Sequence, residues 1–483
     1  MKPISAGSIC TATQGTITGN SRATVTGVAT DTRQLSPGDA FFALVARRDG
    51  HEFVADAFRA GASVAVVSTP VDLPPGKTAV VVGDTLEALG KFAAWYRRRM
   101  PATVIGITGS NGKTTTKEML ACLLAAAAPT VKSPESFNNA IGVPRTLFRL
   151  EPDDRYAVVE MGTSSPGEIA HLALIARPRI GVITNVAPTH LEGLGNIKGV
   201  AIEKGRLIEA IPPGGTAVVN ADNHWCREIA GRSPARVITF GIEEDADVRA
   251  TDIRTAAAHT RFEAAGRQFV LPAIGRHNVY NALAAITVAL ELGLDLDLIQ
   301  DRLSSFKLPP MRMQRIEIGD VTVFNDAYNA NFESMLAALR EYARLPVPGR
   351  RVVVCGDMLE LGDQSQAIHW EVGKRVAAAD FDLLVAVGNE AQTLAMGAAA
   401  NGMPHEQVLL SPNTEKAGQL LPRVVGETDT VLLKASRGMK FESLVEAIQR
   451  WEPAGTPART DVAEAYHAFR ATVKQESGNV TAS

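Results

Sequence analysis

The residues VIGITGSNGKTTTKEML, at positions 104–120, give the strongest indication of the fold class. An apolar run typical of a buried strand leads into a glycine-rich turn, and a helix-like segment begins at Lys113 and Thr114. This order is typical of a phosphate-binding loop, in which backbone N–H groups and a helix N-terminus face a phosphate. The common spelling has its first glycine where this chain has Ile107, so the glycines are displaced. The alternative is an ordinary glycine-rich turn with a solvated lysine.

We interpret the stretch as a nucleotide site of a particular subclass. Lys113 would reach the β- and γ-phosphates, and the Thr114 hydroxyl would bind a magnesium ion. A helix that starts at the Lys-Thr pair adds partial positive charge where the phosphates would lie.

The composition is that of a globular protein. The chain has 483 residues, enough for roughly three domains of about 150 residues each. The hydrophobic content of 46% and the charged content of 21% are ordinary for a soluble protein. A net charge of -3 argues against nucleic acid as a partner, and no apolar run is long enough to span a membrane. The chain starts without a signal-peptide pattern and its cysteines lack CxxC spacing, so we expect a cytoplasmic protein.

Three blocks and a tail are predicted along the chain. Residues 1–100 contain the strand-like runs ASVAVVS and TAVVVG. Residues 101–310 repeat a pattern of strand, turn and helix, and residues 311–455 do so again after Pro309 and Pro310. Residues 456–483 form a polar tail. We predict an α/β fold of three domains, with a central P-loop ATPase-type parallel sheet and a C-terminal Rossmann-like doubly wound domain.

Two titratable residues follow strands of the middle block. Glu160 ends the run YAVVE, and His190 follows the run IGVITNV. Because ligands bind beyond the carboxyl ends of parallel strands, both side chains should converge near the phosphates, where a carboxylate suits magnesium. The alternative interpretation, if each residue is considered without the others, is that Glu160 is a surface acid and His190 an ordinary loop histidine. Lys204, in EKG, would by itself be a helix lysine in a salt bridge.

The combination of TGSNGKTTT, EMG, NVAPTHLE and the lysine of EKG resembles the Mur ligases, which are ATP-dependent amide-bond-forming enzymes of peptidoglycan precursor synthesis. The family spells its phosphate loop T-G-[ST]-x-G-K-[ST], which residues 108–114 match. The resemblance implies catalytic roles for Lys113, Glu160, His190 and Lys204. It implies magnesium binding by Thr114, Glu160, His190 and Lys204, with Lys204 carbamylated. It implies ATP contacts by Thr108, Gly109, Ser110, Asn111, Gly112, Lys113, Thr114, Thr115, Asn278, Asn281 and Arg312.

Other stretches resemble the substrate-binding parts of that family. TDTRQLSPGDAFFAL suggests an N-terminal domain for the UDP part of the substrate, and SFNNAIGVP a central substrate loop. NDAYNANFESM and GDMLELG resemble the members that add D-alanyl-D-alanine to UDP-N-acetylmuramoyl-tripeptide, with the dipeptide in the C-terminal domain. The substrate-binding residues implied are Asp31, Thr32, Arg33, Asn138, Asn139, Asp326, Tyr328, Asn329, Asn331 and Asp357. For the C-terminal ones, the alternative is that the asparagines cap a helix and the acids are surface residues.

Four departures from the family pattern lie outside the phosphate loop, and two of them, Phe332 and Ala435, fall in the domain expected to hold the dipeptide. Phe332 replaces a proline, Arg206 a glutamate and Ala435 a glycine, and Arg47-Arg48 stand where a glycine is common. The resemblance implies a monomer. The rival functions are a sister Mur ligase for a diamino acid, a folylpolyglutamate-synthetase-like ligase, a P-loop switch ATPase and an inactive binding module.

Overall fold

A computed structural model describes residues 1–256 and 258–450. Residues 451–455 and the tail predicted for residues 456–483 lie outside the described residues. Three α/β units follow one another, each built on its own mainly parallel sheet. The predicted fold class is therefore confirmed, whereas the predicted boundaries at residues 100 and 310 stay a prediction.

The first unit is a five-stranded sheet with helices packed on it. Its strands are β1 (Ile4–Ser5), β2 (Thr16–Thr18), β3 (Thr24–Val25), β4 (Gly27–Ala29), β5 (Asp39–Phe42), β6 (Val64–Val67) and β7 (Thr78–Val81). Its helices are α1 (Ala6–Thr13), α2 (Val54–Arg59) and α3 (Thr85–Arg97). The sheet order is β2-β7-β6-β5-β4, with β2 antiparallel, and β1 pairs separately with β3. The all-apolar β6 is buried along its whole length, as expected of a parallel strand covered on both faces.

The middle unit has a seven-stranded parallel sheet of order β14-β13-β12-β11-β8-β10-β9. Its strands are β8 (Thr103–Thr108), β9 (Thr130–Lys132), β10 (Tyr156–Glu160), β11 (Ile180–Ile183), β12 (Thr216–Asn220), β13 (Arg236–Gly241) and β14 (Val248–Arg249). Its helices are α4 (Lys113–Ala125), α5 (Gly142–Leu147), α6 (Glu168–Ala176), α7 (Leu191–Leu194), α8 (Ile197–Glu209), α9 (His224–Ala230), α10 (Arg276–Glu291) and α11 (Leu296–Ser304). Strand β8 lies between β10 and β11, so the loop after β8 lies near the middle of the sheet edge.

A small antiparallel sheet follows the parallel one. It consists of β15 (Thr251–Thr255), β16 (Thr260–Ala264) and β17 (Arg267–Leu271). Phe262 and Phe269 stack across β16 and β17, with ring centroids 5.4 Å apart. Alternating burial along β16 gives this sheet one face in the core and one face toward water.

The third unit is doubly wound, with sheet order β18-β19-β23-β20-β21-β22. Its strands are β18 (Gln314–Ile318), β19 (Val321–Asn325), β20 (Arg351–Gly356), β21 (Leu383–Val387), β22 (Val408–Ser411) and β23 (Thr430–Lys434). Its helices are α12 (Phe332–Arg344), α13 (Ser365–Ala378), α14 (Ala391–Ala400), α15 (Thr414–Val424) and α16 (Glu442–Gln449). Only β18 runs antiparallel to its neighbour among the pairs of this sheet. No helix in the described ranges, 1–256 and 258–450, could cross a membrane.

Candidate active site

A cavity of about 1430 Å³ lies between the middle and third units. It opens at the carboxyl ends of β8, β10 and β11, and its other wall is formed mainly by residues that follow β19 and β20 and by the end of β23. Parallel strands end at one sheet edge, so the loops that follow them meet there.

Two glycines give the loop after β8 its curl. Gly109 has φ 152° and Gly112 has φ 82°, in the region that favours glycine. A Cβ at Gly109 would lie 1.9 Å from Thr184 Oγ1, and one at Gly112 would lie 2.1 Å from Asn281 Oδ1. The glycines are therefore needed for positive φ and for close packing, and α4 starts directly after Gly112.

Lys113 is held against its own loop. Its Nζ donates to Gly109 O at 2.7 Å and to Ser110 O at 3.3 Å. Burial lowers the pKa of Lys113, and the negative charge of Glu160 opposes that shift. The neighbouring Thr114 also lines the cavity. A cation and a hydroxyl thus stand at the N-terminus of α4, where phosphate groups would bind.

Glu160 ends β10 with only one of its two carboxylate oxygens hydrogen-bonded. Its side chain is 1% exposed, and Oε1 accepts a hydrogen bond of 2.9 Å from Asn138 Nδ2. Within the described part of the chain, the buried Oε2 accepts no hydrogen bond, and Lys117 Nζ lies 3.9 Å away. An orphaned buried carboxylate oxygen of a residue that lines the same cavity as Thr114 fits a magnesium ion, which prefers oxygen ligands.

His190 and Lys204 complete the set of predicted catalytic residues. His190 Nδ1 lies 2.5 Å from Glu360 Oε2 of the third unit. Burial lowers the pKa of His190, Glu360 partly restores it, and the charges of Lys113 and Lys204 lower it further. Lys113 and Lys204 therefore both influence the charge of His190, although Lys204 on α8 is 1% exposed and does not line the cavity. In residues 1–256 and 258–450 no three His, Cys, Asp or Glu side chains form a metal cluster by themselves.

Most residues predicted to contact ATP lie at the cavity. Its lining includes Ser110, Asn111, Gly112, Lys113, Thr114, Thr115, Asn278, Asn281 and Arg312. Asn278 and Asn281 are consecutive on one face of α10, and Asn281 Nδ2 donates to Asn278 Oδ1 at 3.2 Å. The Arg312 guanidinium stacks 4.1 Å from the centroid of the Tyr328 ring. Thr108 and Gly109 are buried and do not line the cavity, and Thr108 Oγ1 donates to Met161 O.

The predicted substrate residues divide into two groups. The cavity brings together Asn138, Asn139, Asp326, Tyr328, Asn329 and Asn331. Asp31, Thr32 and Arg33 lie apart from it in the first unit, where Asp31 Oδ2 pairs with Arg33 Nη2 at 2.6 Å. This pairing lowers the pKa of Asp31 to about 2. The adjoining Gln34 accepts a hydrogen bond of 2.9 Å from Arg145 of the middle unit, so the segment borders that unit.

Asp357 does not lie at the cavity, although it follows β20 as predicted. Its carboxylate accepts hydrogen bonds from Asn389 N at 2.8 Å and from Glu390 N at 3.0 Å. The side chain is therefore engaged in holding the start of α14, whereas Glu360 and Lys434 reach the cavity surface.

Comparison with known proteins identifies the chain. Residues 107–289 match the Mur ligase middle domain, and residues 311–437 match the Mur ligase, glutamate ligase domain. The chain is 37% identical over 438 residues to UDP-N-acetylmuramoyl-tripeptide--D-alanyl-D-alanine ligase of Escherichia coli (strain K12), covering 88% of this chain and 94% of the relative. The chain belongs to the Mur ligase family.

Solved structures of Mur ligases agree with this placement. MurF from Acinetobacter baumannii superposes with a TM-score of 0.86 at 33% identity, covering 93% of this chain and 99% of that chain. MurF ligase from Thermotoga maritima in complex with ADP gives a TM-score of 0.78 at 29% identity, with coverages of 88% and 97%. The predictions of a Mur ligase and of an ATP-dependent ligase are confirmed.

Three departures from the Mur ligase pattern leave the cavity surface unchanged. Phe332 is the first residue of α12, where proline is favoured because that N–H has no intrahelical partner. Arg206 Nη1 donates to Glu209 Oε2 at 2.8 Å on an exposed face of α8. Ala435 is fully buried, and none of the three lines the cavity.

Sequence reasoning missed two features of this Mur ligase site. Asp222 lies after β12 and accepts a hydrogen bond of 2.6 Å from the Tyr280 hydroxyl, and both residues line the cavity. The rule that selected Glu160 could also have found Asp222, because Asp222 is the last residue of the strand-like run TAVVNAD. Lys117 is the second feature, and nothing in its helical context distinguishes it from a surface lysine.

Proposed function

We propose that the chain joins D-alanyl-D-alanine to UDP-N-acetylmuramoyl-tripeptide, with conversion of ATP to ADP and phosphate. The observation that carries this proposal is the two-sided cavity. Lys113, Thr114 and Glu160 line its phosphate side, and Asp326, Asn329 and Lys434 line the opposite side. The relatives named for this reaction align over 87% to 89% of the chain.

The first step joins two anions. The tripeptide carboxylate attacks the γ-phosphorus of ATP, giving an acyl phosphate and releasing ADP. Lys113 would place its ammonium beside the phosphoryl oxygens, and the N-terminus of α4 would add partial positive charge. A magnesium ion held by Thr114 and Glu160 would neutralise phosphate charge when bound. Arg312, stacked on Tyr328, would contact the nucleotide from the third unit.

The second step forms the amide. The neutral amine of D-alanyl-D-alanine attacks the acyl carbon, and the bond from that carbon to the phosphate oxygen breaks. Phosphate leaves with the former carboxylate oxygen, and the nitrogen loses one proton to the departing phosphate or to water. Lys434 Nζ pairs with Asp326 Oδ2 at 2.6 Å and donates to Asn329 O at 2.9 Å, which fixes this wall of the cavity. Glu360, on the cavity surface, would attract the dipeptide ammonium, and Arg437 its carboxylate. These opposite charges would orient the dipeptide for attack.

Lys204 is proposed to be carbamylated, as the family resemblance implies. Burial lowers its pKa well below the usual range, and the positive charge of Lys113 contributes in the same direction. A neutral amine is the form that adds carbon dioxide, and the resulting carbamate would be an anion beside Lys113. The first unit would hold the UDP moiety at residues 31–33. A monomeric enzyme in the cytoplasm completes the proposal.

The test is phosphate release from ATP with purified UDP-N-acetylmuramoyl-tripeptide, with and without an acceptor. We expect D-alanyl-D-alanine to drive release far better than L-lysine, meso-diaminopimelate or D-glutamate. A diamino acid as the best acceptor would identify a sister ligase. Phosphate release that is independent of tripeptide and acceptor would identify a switch-type ATPase. Either of these two results would overturn the proposal.

A further inference from the structure

Lys117 is a buried cation directly behind the phosphate loop. It lies on α4 one turn after Lys113, and its side chain is 0% exposed. Its Nζ donates to Ser133 O at 2.8 Å and to Glu135 O, and lies 3.0 Å from Glu118 Oε1. A cation without access to water is costly unless it is paired and hydrogen-bonded, and here the partners are two loop carbonyls and a carboxylate.

These carbonyls belong to residues 133–139, which we call the Asn138 loop. The loop contacts the end of β10 at three points. Ser133 Oγ accepts a hydrogen bond of 3.1 Å from Glu160 N, Asn138 O accepts one of 2.8 Å from Gly162 N, and Asn138 Nδ2 donates to Glu160 Oε1. Glu135, one of the residues that Lys117 contacts, has φ 42°, an unfavourable value for a residue with a side chain. Lys117 thus stabilises a conformation of the Asn138 loop that the backbone at Glu135 does not favour by itself.

The loop shape determines how the two oxygens of Glu160 are used. Asn138 occupies Oε1, whereas Oε2 is buried without a hydrogen bond in the described residues. Lys117 Nζ, 3.9 Å from Oε2, is too far to donate to it but close enough to stabilise its negative charge. The arrangement leaves one carboxylate oxygen oriented and without a hydrogen-bond donor among the described residues.

We propose that Lys117 is a positioning residue for the magnesium site: it holds the Asn138 loop so that Glu160 presents Oε2 to the metal. The inference rests on the proposed function, because it assigns Glu160 to magnesium. The alternative is that Lys117 only fills space beneath α4, in which case its removal would affect folding and leave the response to magnesium unchanged.

Lys132 provides a matched control. It pairs with the same acid, Glu118, but its side chain is 46% exposed, and it contacts neither Glu160 nor the carbonyls that Lys117 binds. Lys117→Met keeps the length of the side chain and removes the charge and its three donors. Lys132→Met makes the same chemical change on the other side of Glu118.

The experiment is calorimetric titration of the full-length protein with ADP, with and without magnesium, after circular dichroism has shown that each variant is folded. In the absence of magnesium, we expect the affinity of Lys117→Met for ADP to stay within about twofold of the affinity of the unchanged protein. The magnesium concentration for half-maximal enhancement of ADP binding should rise roughly 10- to 100-fold, as is typical when a partner of a metal ligand is removed. Lys132→Met should behave like the unchanged protein. A folded Lys117→Met protein with the original magnesium response would overturn the proposal.

A second variant decides the matter if Lys117→Met does not fold. Asn138→Ala removes the amide that occupies Oε1 without leaving a buried cation unpaired. It should show the same loss of magnesium response, and an unchanged response would overturn the proposal. Neither tripeptide nor dipeptide is present in this assay. A protein that fails the acceptor assay but keeps this magnesium behaviour would therefore overturn the ligase proposal alone.

Discussion

Asn331 Nδ2 donates a hydrogen bond of 2.7 Å to Asn111 Oδ1, and so joins the third unit to the phosphate loop. Asn331 Oδ1 accepts from Ser334 N at 2.9 Å, and the Ser334 hydroxyl accepts from Asn331 N, which makes a reciprocal cap at the start of α12. Both ends of this amide are engaged within the protein. Asn331 therefore couples the third-unit wall of the cavity to the phosphate loop.

Asn331→Ala and Asn329→Ala should have different effects. Loss of the helix cap at Asn331 should lower the free energy of unfolding by about 1 kcal/mol, and loss of the bond to Asn111 should raise the KM of ATP as well as that of the dipeptide. Asn329→Ala should raise the KM of the dipeptide more than that of ATP. Steady-state kinetics and thermal unfolding of both variants check this. Equal effects on the two substrates in Asn329→Ala would contradict its placement at the acceptor.

Lys113→Ala should leave the fold intact and remove turnover. The lysine supplies charge that phosphoryl transfer must neutralise, and loss of one such contact typically lowers the rate by about 10²- to 10³-fold. Phosphate release measures the effect, and Lys198→Ala, on an exposed position of α8, is the control. Near-normal turnover of a folded Lys113→Ala protein would disprove the phosphate-loop assignment.

Lys204→Ala should be nearly inactive and partly rescued by acetate. A small carboxylate can occupy the space of the missing carbamate and restore an anion beside Lys113. In the unchanged enzyme, ¹³C-labelled carbon dioxide should give a carbamate signal that is absent from the variant. Full activity of Lys204→Ala, or the absence of that signal from an active enzyme, would contradict carbamylation.

Substrate binding should change the arrangement of the three units. The cavity has walls from two units and the predicted UDP residues lie on another, so three ligands must be brought to one carboxylate. Closure would also exclude water from the acyl phosphate. Small-angle scattering with an ATP analogue and UDP substrate should give a smaller radius of gyration than the free protein. Superimposable profiles would count against closure.

Two buried thiols should resist alkylation in the folded protein. Burial raises the pKa of Cys226 and of Cys355 from 9.0 to about 12, and only the thiolate reacts readily. Iodoacetamide at pH 8.5 should therefore label Cys10, which is partly exposed, well before these two. The unfolded chain ionises first, so the thiols cost no stability below pH 9 and reduce it as the pH rises from 9 toward 12. Peptide mass mapping with and without urea checks the labelling order.

The sequence predicted the site best where topology alone positions the residues. Glu160 and His190 could be placed beside the phosphate loop because parallel strands end at one edge, and the structure has both at the cavity. The same rule fails for Asp357, because its side chain turns away to bind the backbone N–H groups of Asn389 and Glu390. Strand order specifies where a Cα lies and leaves the choice of hydrogen-bond partner open.

Lys117 shows what local sequence cannot reveal. Helix α4 is buried over most of its length, and the carbonyls that bind Lys117 belong to the Asn138 loop, which follows that helix in the sequence. Asn331 illustrates the same limit: a helix cap was foreseeable from its position before α12, but its bond to Asn111 depends on how two units pack. Contacts between segments distant in sequence need the folded chain.

Lys113 rests on the carbonyls of Gly109 and Ser110, which has a consequence for repeated turnover. When nucleotide departs, the ammonium has hydrogen-bond acceptors within its own loop. Loading the next nucleotide would exchange these carbonyl partners for phosphate oxygens at a single side chain. We therefore expect nucleotide exchange to require no rearrangement of the loop backbone.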